Sequence, residues 1–405
     1  MTKYFTAADF DAAGQREAAR NTYPEGFPTL PEIPGARYFD ETFYKLEVEN
    51  MWKKTWIIAA HASQIPETGD FTIFDKLGLS VIITRDKTGE VRGYHNVCRH
   101  RGAPLVLENS GNTKRFTCPY HSWSFNLAGD LVAVPEEFNF GCLKKAERSL
   151  IPVRTETWRG FVFINLDENA APLADHLGSY ADMTADFPFE SLKVKATAQL
   201  EIACNWKAMF DNFLEAYHVS TVHPKTLSPH LNASSMVVSL YKNGHMRMKT
   251  KKKIANRITH TTPGKAPEVA DPTGIYSSYL TGSQMFPNVA LGLDLQGFPI
   301  LTFWPDGPHK AIMDIKMLGP DGDRDDIPGY WDRLVTETLG IVAEDTALMN
   351  RIQTSLEGGY FTGMVLSYTE RTIYWYQEEL DRRIGIDKIP ENLRIQQVLS
   401  PYTED

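Results

Sequence analysis

Asn96-Val97-Cys98-Arg99-His100-Arg101-Gly102-Ala103 and, soon after it, Cys118-Pro119-Tyr120-His121-Ser122-Trp123-Ser124-Phe125 decide how this chain is read. Together they give C-x-H, seventeen intervening residues, then C-x-x-H. Each segment supplies one thiolate and one imidazole. A tetrahedral zinc site also uses two Cys and two His, but its ligands usually come as a C-x₂₋₄-C pair followed by H-x₃₋₅-H. One Cys and one His per loop suits a [2Fe–2S] cluster with two Cys on one iron and two His on the other. Neutral imidazoles in place of thiolates remove negative charge, so such a cluster accepts an electron more readily than a four-cysteine one. Gly102 and Pro119 suit tight loops that bring backbone N–H groups to the sulfurs. Electron transfer is therefore the first expectation.

The chain has 405 residues, and its 42 Lys and Arg against 51 Asp and Glu give a net charge of −9. An acidic balance argues against nucleic-acid binding, which leaves a basic footprint. The length suggests two or three domains and allows a large buried core. No apolar run of about 18 residues is present, so no membrane span is expected. The N-terminal stretch has no apolar core or cleavage site of a signal peptide. A soluble, cytoplasmic protein is expected. Cys142 and Cys204, left over from the cluster, read as small apolar residues rather than a disulfide.

Residues 6–20 read as an amphipathic helix, and Pro24, Pro28, Pro31 and Pro34 then impose an extended crossing. Residues 40–53 look helical. From Trp56 to about Leu166 short β-rich runs are separated by Gly or Asp turns. Lys76-Leu77-Gly78-Leu79 is one such turn, not a phosphate loop. Residues 193–204 alternate like a strand, Trp206 to about Val219 is helical, and 236–250 reads as strands. The polar stretch 251–285 reads as a long loop or lid. Three strands are expected between Phe286 and Leu318, and two long helices over 328–357 and 366–383. Lys249, Lys251, Lys252 and Lys253, with Arg247 and Arg257, read as a solvated flap or else as an anion-attracting mouth.

Both ligand loops match, without a gap, those of the Rieske non-heme iron oxygenases, and the chain resembles their α (large, terminal oxygenase) subunit. The resemblance covers about residues 40 to 385. It implies an N-terminal helical segment (1–45) packing on the catalytic domain, a small all-β Rieske domain (46–165), and a catalytic mononuclear iron domain (166–405). The last would be a helix-grip (START/Bet v1-like) fold, an antiparallel sheet wrapping a long helix. Periodicity alone gives only α+β.

A one-electron carrier needs a destination for its electrons, which draws attention to His218 and His223. They are five apart and would not share an ideal helical face. A helix that ends near Val222, before Pro224, would let both point inward. A carboxylate would complete a 2-His-1-carboxylate site for non-heme Fe(II). Ile341-Val342-Ala343-Glu344-Asp345-Thr346-Ala347-Leu348 resembles the family's E-D-x-x-L helix, which makes Asp345 the implied ligand and Glu344 the fallback. The resemblance also implies that Glu215 bridges His218 to the partner subunit's His121. Well-known ring dihydroxylases carry Asp there. The Glu is found in branches that include enzymes of quaternary amines, which puts cis-dihydroxylation of a fused arene in doubt. Asn212 is read as orienting a ligand, Tyr217 as helix packing, Asp211 as one or the other, and Trp206 as core.

Taken together, the resemblance implies a terminal oxygenase. It would hold a [2Fe–2S] cluster on Cys98, His100, Cys118 and His121, and a mononuclear Fe(II) on His218, His223 and Asp345. The substrate would be aromatic or similarly apolar, hydroxylated once or twice. A first alternative is a monooxygenase of a quaternary or methylated amine, or of an N- or O-methyl group. A second is a Rieske carrier without catalysis, and a third is a zinc-stabilised binding protein. No nucleotide or flavin fingerprint is seen, so NAD(P)H electrons would arrive through a separate reductase, with or without a ferredoxin docking on Arg99, Arg101, Lys114 and Arg115. A head-to-tail homotrimer, with or without a β subunit, is implied. For the pocket, Met209, Phe210, Leu214, Met236, Tyr279, Phe286, Leu291, Leu293, Phe303 and Phe361 are candidates, though each singly reads more readily as core.

Overall fold

The computed structural model describes residues 6–253, 268–322 and 328–404. The chain divides into two compact units, Lys53–Leu173 and Met1–Trp52 with Ala174–Asp405. These boundaries lie beyond the expected 46 and 165, for reasons of packing. Trp52 packs between Trp206 and Trp304 with tilted rings, centroids 4.9 and 5.7 Å away. Glu47 is fully buried against Lys207, 2.7 Å from its Nζ. Both therefore belong with the larger unit. Residues 166–173 stay with the smaller one, where Arg154 and Trp56 donate to the Ala170 and Ala171 carbonyls.

The smaller unit is all-β. Its seven-stranded antiparallel sheet runs in the order 57–61, 161–165, 152–158, 91–95, 81–85, 70–74, 110–112. A three-stranded sheet (116–117, 124–125, 131–133) carries the second ligand loop at its first hairpin. Cys98 and Cys118 sit in one apolar cluster with Phe71, Tyr94, Trp123 and Phe125. Lys76–Leu79 forms a turn, with Leu77 and Gly78 at φ of 61° and 70°.

The larger unit is a seven-stranded antiparallel sheet with helices. Its strands are β1 (Lys193–Ile202), β2 (Leu231–Leu240), β3 (Met246–Lys252), β4 (Tyr279–Met285), β5 (Val289–Leu293), β6 (Phe298–Pro305) and β7 (Ala311–Gly319). Their order is β1-β7-β6-β5-β4-β3-β2. Helix α1 spans Ala7–Ala19, α2 Trp206–Asp211, α3 Tyr330–Glu357 and α4 Arg371–Ile384. The 28-residue α3 lies along β1 and β7. Among the described residues no helix is long and apolar enough to cross a membrane.

Alternation along β3 and β4 gives the sheet two different faces. Met248, Thr250, Leu280, Gly282 and Gln284 line a cavity. Lys249, Lys251 and Tyr279 point the other way, onto α1. There the Lys249 ammonium stands 3.9 Å from the centre of the Phe10 ring, and Asp11 accepts from Lys251 at 2.5 Å and from the Tyr279 hydroxyl. The lysine run is therefore not a solvated flap as a whole: Lys249 and Lys252 are buried in β3, between β4 and the edge strand β2, while Lys251 is half-buried and Lys253 exposed. It is not an anion-attracting mouth either, because Lys252 pairs with Asp294 at 3.0 Å. Residues 254–267 of the expected lid, with Arg257, lie outside the described residues. Described parts of that stretch are strand β3, a short helix (Ile275–Ser278) and strand β4. Cys204 is buried, but Cys142 is exposed rather than apolar core, and all four cysteines are free.

Candidate active site and metal centres

The two loops of the smaller unit are built alike. Cys98 N–H donates to Ala103 O at 2.7 Å, and Gly102 N–H returns to Cys98 O at 3.0 Å. Cys118 N–H donates to Trp123 O at 2.8 Å, and Ser122 N–H returns to Cys118 O at 2.9 Å. The fifth residue of each turn is left-handed, Gly102 at φ 80° and Ser122 at φ 58°. Asn96 braces the first loop, accepting from Leu105 and Val106 N–H at 2.8 and 3.0 Å. His100 and His121 are brought together with ring centroids 4.7 Å apart, and His100 stacks on Trp123. Arg101 lies over the Tyr120 ring at 5.2 Å. Arg101, Lys114 and Arg115 are exposed, and Arg99 is half-buried.

This donor set fits a cluster. Burial pushes the Cys98 thiol up, His100 and Arg101 N–H groups bond its sulfur, and the adjacent Cys118 sulfur pushes it up further. Two neighbouring buried thiolates call for a cation between them. Desolvation, then His121 and Arg101, hold His100 toward its neutral, metal-binding form. Its Nδ1 is buried without a hydrogen-bond partner.

In the larger unit the expected helix from Trp206 to Val219 is broken. Helix α2 ends at Asp211, a tight turn covers Asn212–Leu214, and Glu215 is extended at φ −149°, ψ 176°. A short helix, Val219–Val222, then ends at His223. Glu215 and His218 therefore do not share a helical face. The break lets the Glu215 carboxylate fold forward, accepting from the Tyr217 N–H, the His218 N–H and His218 Nδ1. Tyr217 does not pack in a helix; it is 70% exposed. Asn212 lines the cavity. Asp211 is buried and accepts from the Tyr38 hydroxyl at 2.6 Å, and Trp206 is fully buried.

The structure brings His218, His223 and Asp345 together, with one ligand atom of each lying within 4.8 Å of the others. Asp345 Oδ1 is 3.1 Å from His223 Nε2 and 3.7 Å from His218 Nε2. Both Nε2 atoms face the carboxylate because both Nδ1 atoms are engaged elsewhere. His218 Nδ1 meets Glu215, and His223 Nδ1 meets Glu344 Oε2 at 2.7 Å. Thr226 Oγ1 donates to the same Glu344 oxygen at 2.5 Å. Burial lowers His223, but its bonds to Asp345 and Glu344 outweigh that and raise it above the ordinary imidazole value. The carboxylates thus draw positive charge to this point, as an iron site requires. The orienting roles of Glu344 and Thr226 were missed from sequence, where Glu344 read only as a substitute ligand.

The site opens on a cavity of about 260 Å³. Of the candidate lining residues only Leu291 lies on it. Met209, Phe210, Leu214, Met236, Tyr279, Phe286, Leu293 and Phe303 are buried core, and Phe361 is exposed. Burial alone could not say on which side of the sheet each would fall.

Known proteins match both halves. Residues 55–146 match the Rieske [2Fe–2S] domain, and residues 189–386 match the ring hydroxylating alpha subunit catalytic domain. The chain belongs to the Rieske non-heme iron oxygenase α-subunit family. A carnitine monooxygenase oxygenase subunit of Acinetobacter pittii is 36% identical over 208 residues, 50% of this chain and 56% of that protein. A benzene 1,2-dioxygenase subunit alpha of Pseudomonas putida is 36% identical over 190 residues, 45% of this chain and 42% of that protein. The chain thus spans about half the length of the curated relatives it matches. A solved quaternary ammonium Rieske monooxygenase superposes with a TM-score of 0.77 at 23% identity, over 91% of this chain and 100% of that one. That likeness speaks for the fold: an all-β Rieske domain and an α+β catalytic domain with an antiparallel sheet. The family's groups are a [2Fe–2S] cluster and a mononuclear iron, and the donor sets described above fit both.

Proposed function

We propose that this chain is the terminal oxygenase of a multicomponent system and hydroxylates an apolar organic substrate. One observation carries the reading: two imidazoles and one carboxylate converge on the wall of a largely apolar cavity. When bound, the mononuclear iron supplies O₂ activation and the cluster supplies single electrons. The protein's own part follows from its side chains. Cys98, His100, Cys118 and His121 would hold the cluster. His218, His223 and Asp345 would hold the mononuclear metal by one face, leaving the cavity side open. Glu215 and Glu344 keep protons on the two Nδ1 atoms, so the Nε2 lone pairs are available. Asn212 orients the ligand loop, and Phe213, Val219, Leu301 and Met317 exclude water. Glu215 would further connect His218 to the partner subunit's His121 in a homotrimer. Electrons would come from NAD(P)H through a separate reductase, with Arg101, Lys114 and Arg115 offering a cationic surface to an acidic ferredoxin.

A second reading is favoured by Glu215 standing where ring dihydroxylases carry Asp, and by the identity to carnitine monooxygenase subunits. It is monooxygenation of a methylated or quaternary amine. The deciding experiment is a single turnover of pre-reduced protein with ¹⁸O₂ and a panel of arenes, aromatic acids, methylated amines and terpenoids. Two labelled oxygens in a product assign dioxygenation. One label, or loss of a methyl group, assigns the monooxygenase. Failure to load the mononuclear iron sinks both.

A further inference from the structure

Among the described residues, four carboxyl side chains line the cavity, and three are engaged by the protein. Glu215 is bonded to His218, Asp345 to His223, and Asp294 to Lys252 and the Gln296 N–H. The fourth, Glu337, is half-buried, with its Oε2 turned inward and without a hydrogen-bond partner. Gln284, 3% exposed, gives a second case. Its Nε2 donates to the Phe213 carbonyl at 2.9 Å, which fixes the amide orientation and leaves Oε1 as the unpaired atom. Both open positions are acceptors, as is the third, Asp345 Oδ1 at the metal site. No Lys or Arg is among the described residues lining the cavity.

A buried acceptor left without a donor is costly, more so when it belongs to a carboxyl group. The cavity therefore matches a molecule that brings a donor to it and opposes one that brings an anion. Position adds a ruler. Glu337, Ile341 and Asp345 line the cavity at successive four-residue steps on α3, so Glu337 lies two turns, roughly 12 Å, along the helix from Asp345.

We infer that Glu337 is the specificity residue of the cavity. It anchors a hydroxyl or protonated amine at the far end of an elongated apolar substrate, whose other end reaches His218, His223 and Asp345, and it rejects carboxylates. This rests on the proposed oxygenase reading for which end is oxidised, but not for what binds. On this inference a substrate with an anionic end, as in carnitine, fits the cavity poorly even if a methylated amine is accepted.

The test is calorimetric titration of the iron-loaded protein with four probes that differ only in the head group: 4-phenylbutylamine, 4-phenylbutanol, butylbenzene and 5-phenylvalerate. The amine and the alcohol should bind more tightly than the hydrocarbon, and the amine at least about tenfold more tightly than the acid. In Glu337→Gln the amine-to-acid ratio should fall to within about threefold, while butylbenzene binds as before. Unchanged butylbenzene affinity also reports an intact fold. Tighter binding of the acid by the parent protein, an unchanged amine-to-acid ratio in the variant, or no binding of any probe overturns the inference. Oxidation of the bound amine would place the label on the ring end. Binding in the expected order with no oxidation would sink the oxygenase reading and leave the assignment of Glu337 standing.

Discussion

At the scale of single residues, adjacent Glu344 and Asp345 do different things with the same functional group. One turns His223 by its Nδ1 and the other faces both Nε2 atoms. Removing them should therefore have unequal effects. Asp345→Ala is expected to abolish mononuclear iron binding, and the ratio of total iron to labile sulfide should fall to that of the cluster alone. Glu344→Ala should leave the three ligands in place but free His223 to rotate, weakening iron affinity by roughly 10–100-fold. Competition with a chelator, read by iron analysis while the cluster absorbance stays constant, checks both. Equal loss in the two variants would show that Glu344 is itself a ligand. The neighbouring acids were legible as a pair in the sequence. Which of them faces the histidines was not, because one helical step of 100° turns a side chain from one neighbour to another.

At the scale of elements, the ligand loops show what a sequence carries well and where it stops. Spacing and residue type carried the two Cys–His pairs, because each loop is short and closes on itself. The likeness of the two turns was hidden, because the left-handed position is Gly102 in one and Ser122 in the other. Glycine reaches that conformation freely, whereas a side chain there costs on the order of 1–2 kcal/mol. No atom stands within 4 Å of a Cβ built on Gly102, so backbone strain is the whole cost of a substitution there. Gly102→Ala should destabilise the smaller unit by about 1–2 kcal/mol. Ser122→Gly should change stability by less than about 1 kcal/mol, since relief of strain is offset by chain entropy. Denaturant midpoints followed by cluster absorbance report both. The break at Glu215 was equally hidden: Asp211–Val219 contains no Gly or Pro, and the turn depends on a carboxylate capping the next backbone amides. The lysines of β3 were misread for the related reason that a charged residue looks solvated until the helix covering it is known.

At the scale of the whole molecule, the larger unit buries a set of charges where its N-terminal segment meets α2 and α4. Arg37 pairs with Asp381 at 2.6 Å and Lys207 with Glu47 at 2.7 Å. Asp211 is the odd acid, held by the Tyr38 hydroxyl, which Gln377 Nε2 also reaches at 3.0 Å. Burial pushes Asp211 up to about 7, against the lowering pull of Tyr38, Lys207 and Arg37. In the unfolded chain an Asp titrates near 3.9. The folded state therefore holds a proton that the unfolded state releases, and stability falls as pH rises from about 4 to about 7. Below that window the contribution is fully present; above it, it is gone. The amount is on the order of 2–4 kcal/mol. Asp211→Asn keeps an oxygen for Tyr38 and removes the titration. The difference in unfolding free energy between the variant and the parent chain should shift in the variant's favour from pH 4.5 to pH 7.5, as read by urea denaturation at both. A difference that stays constant across that range would mean that Asp211 is ionised throughout, and that the two cations in this cluster serve three acids rather than two.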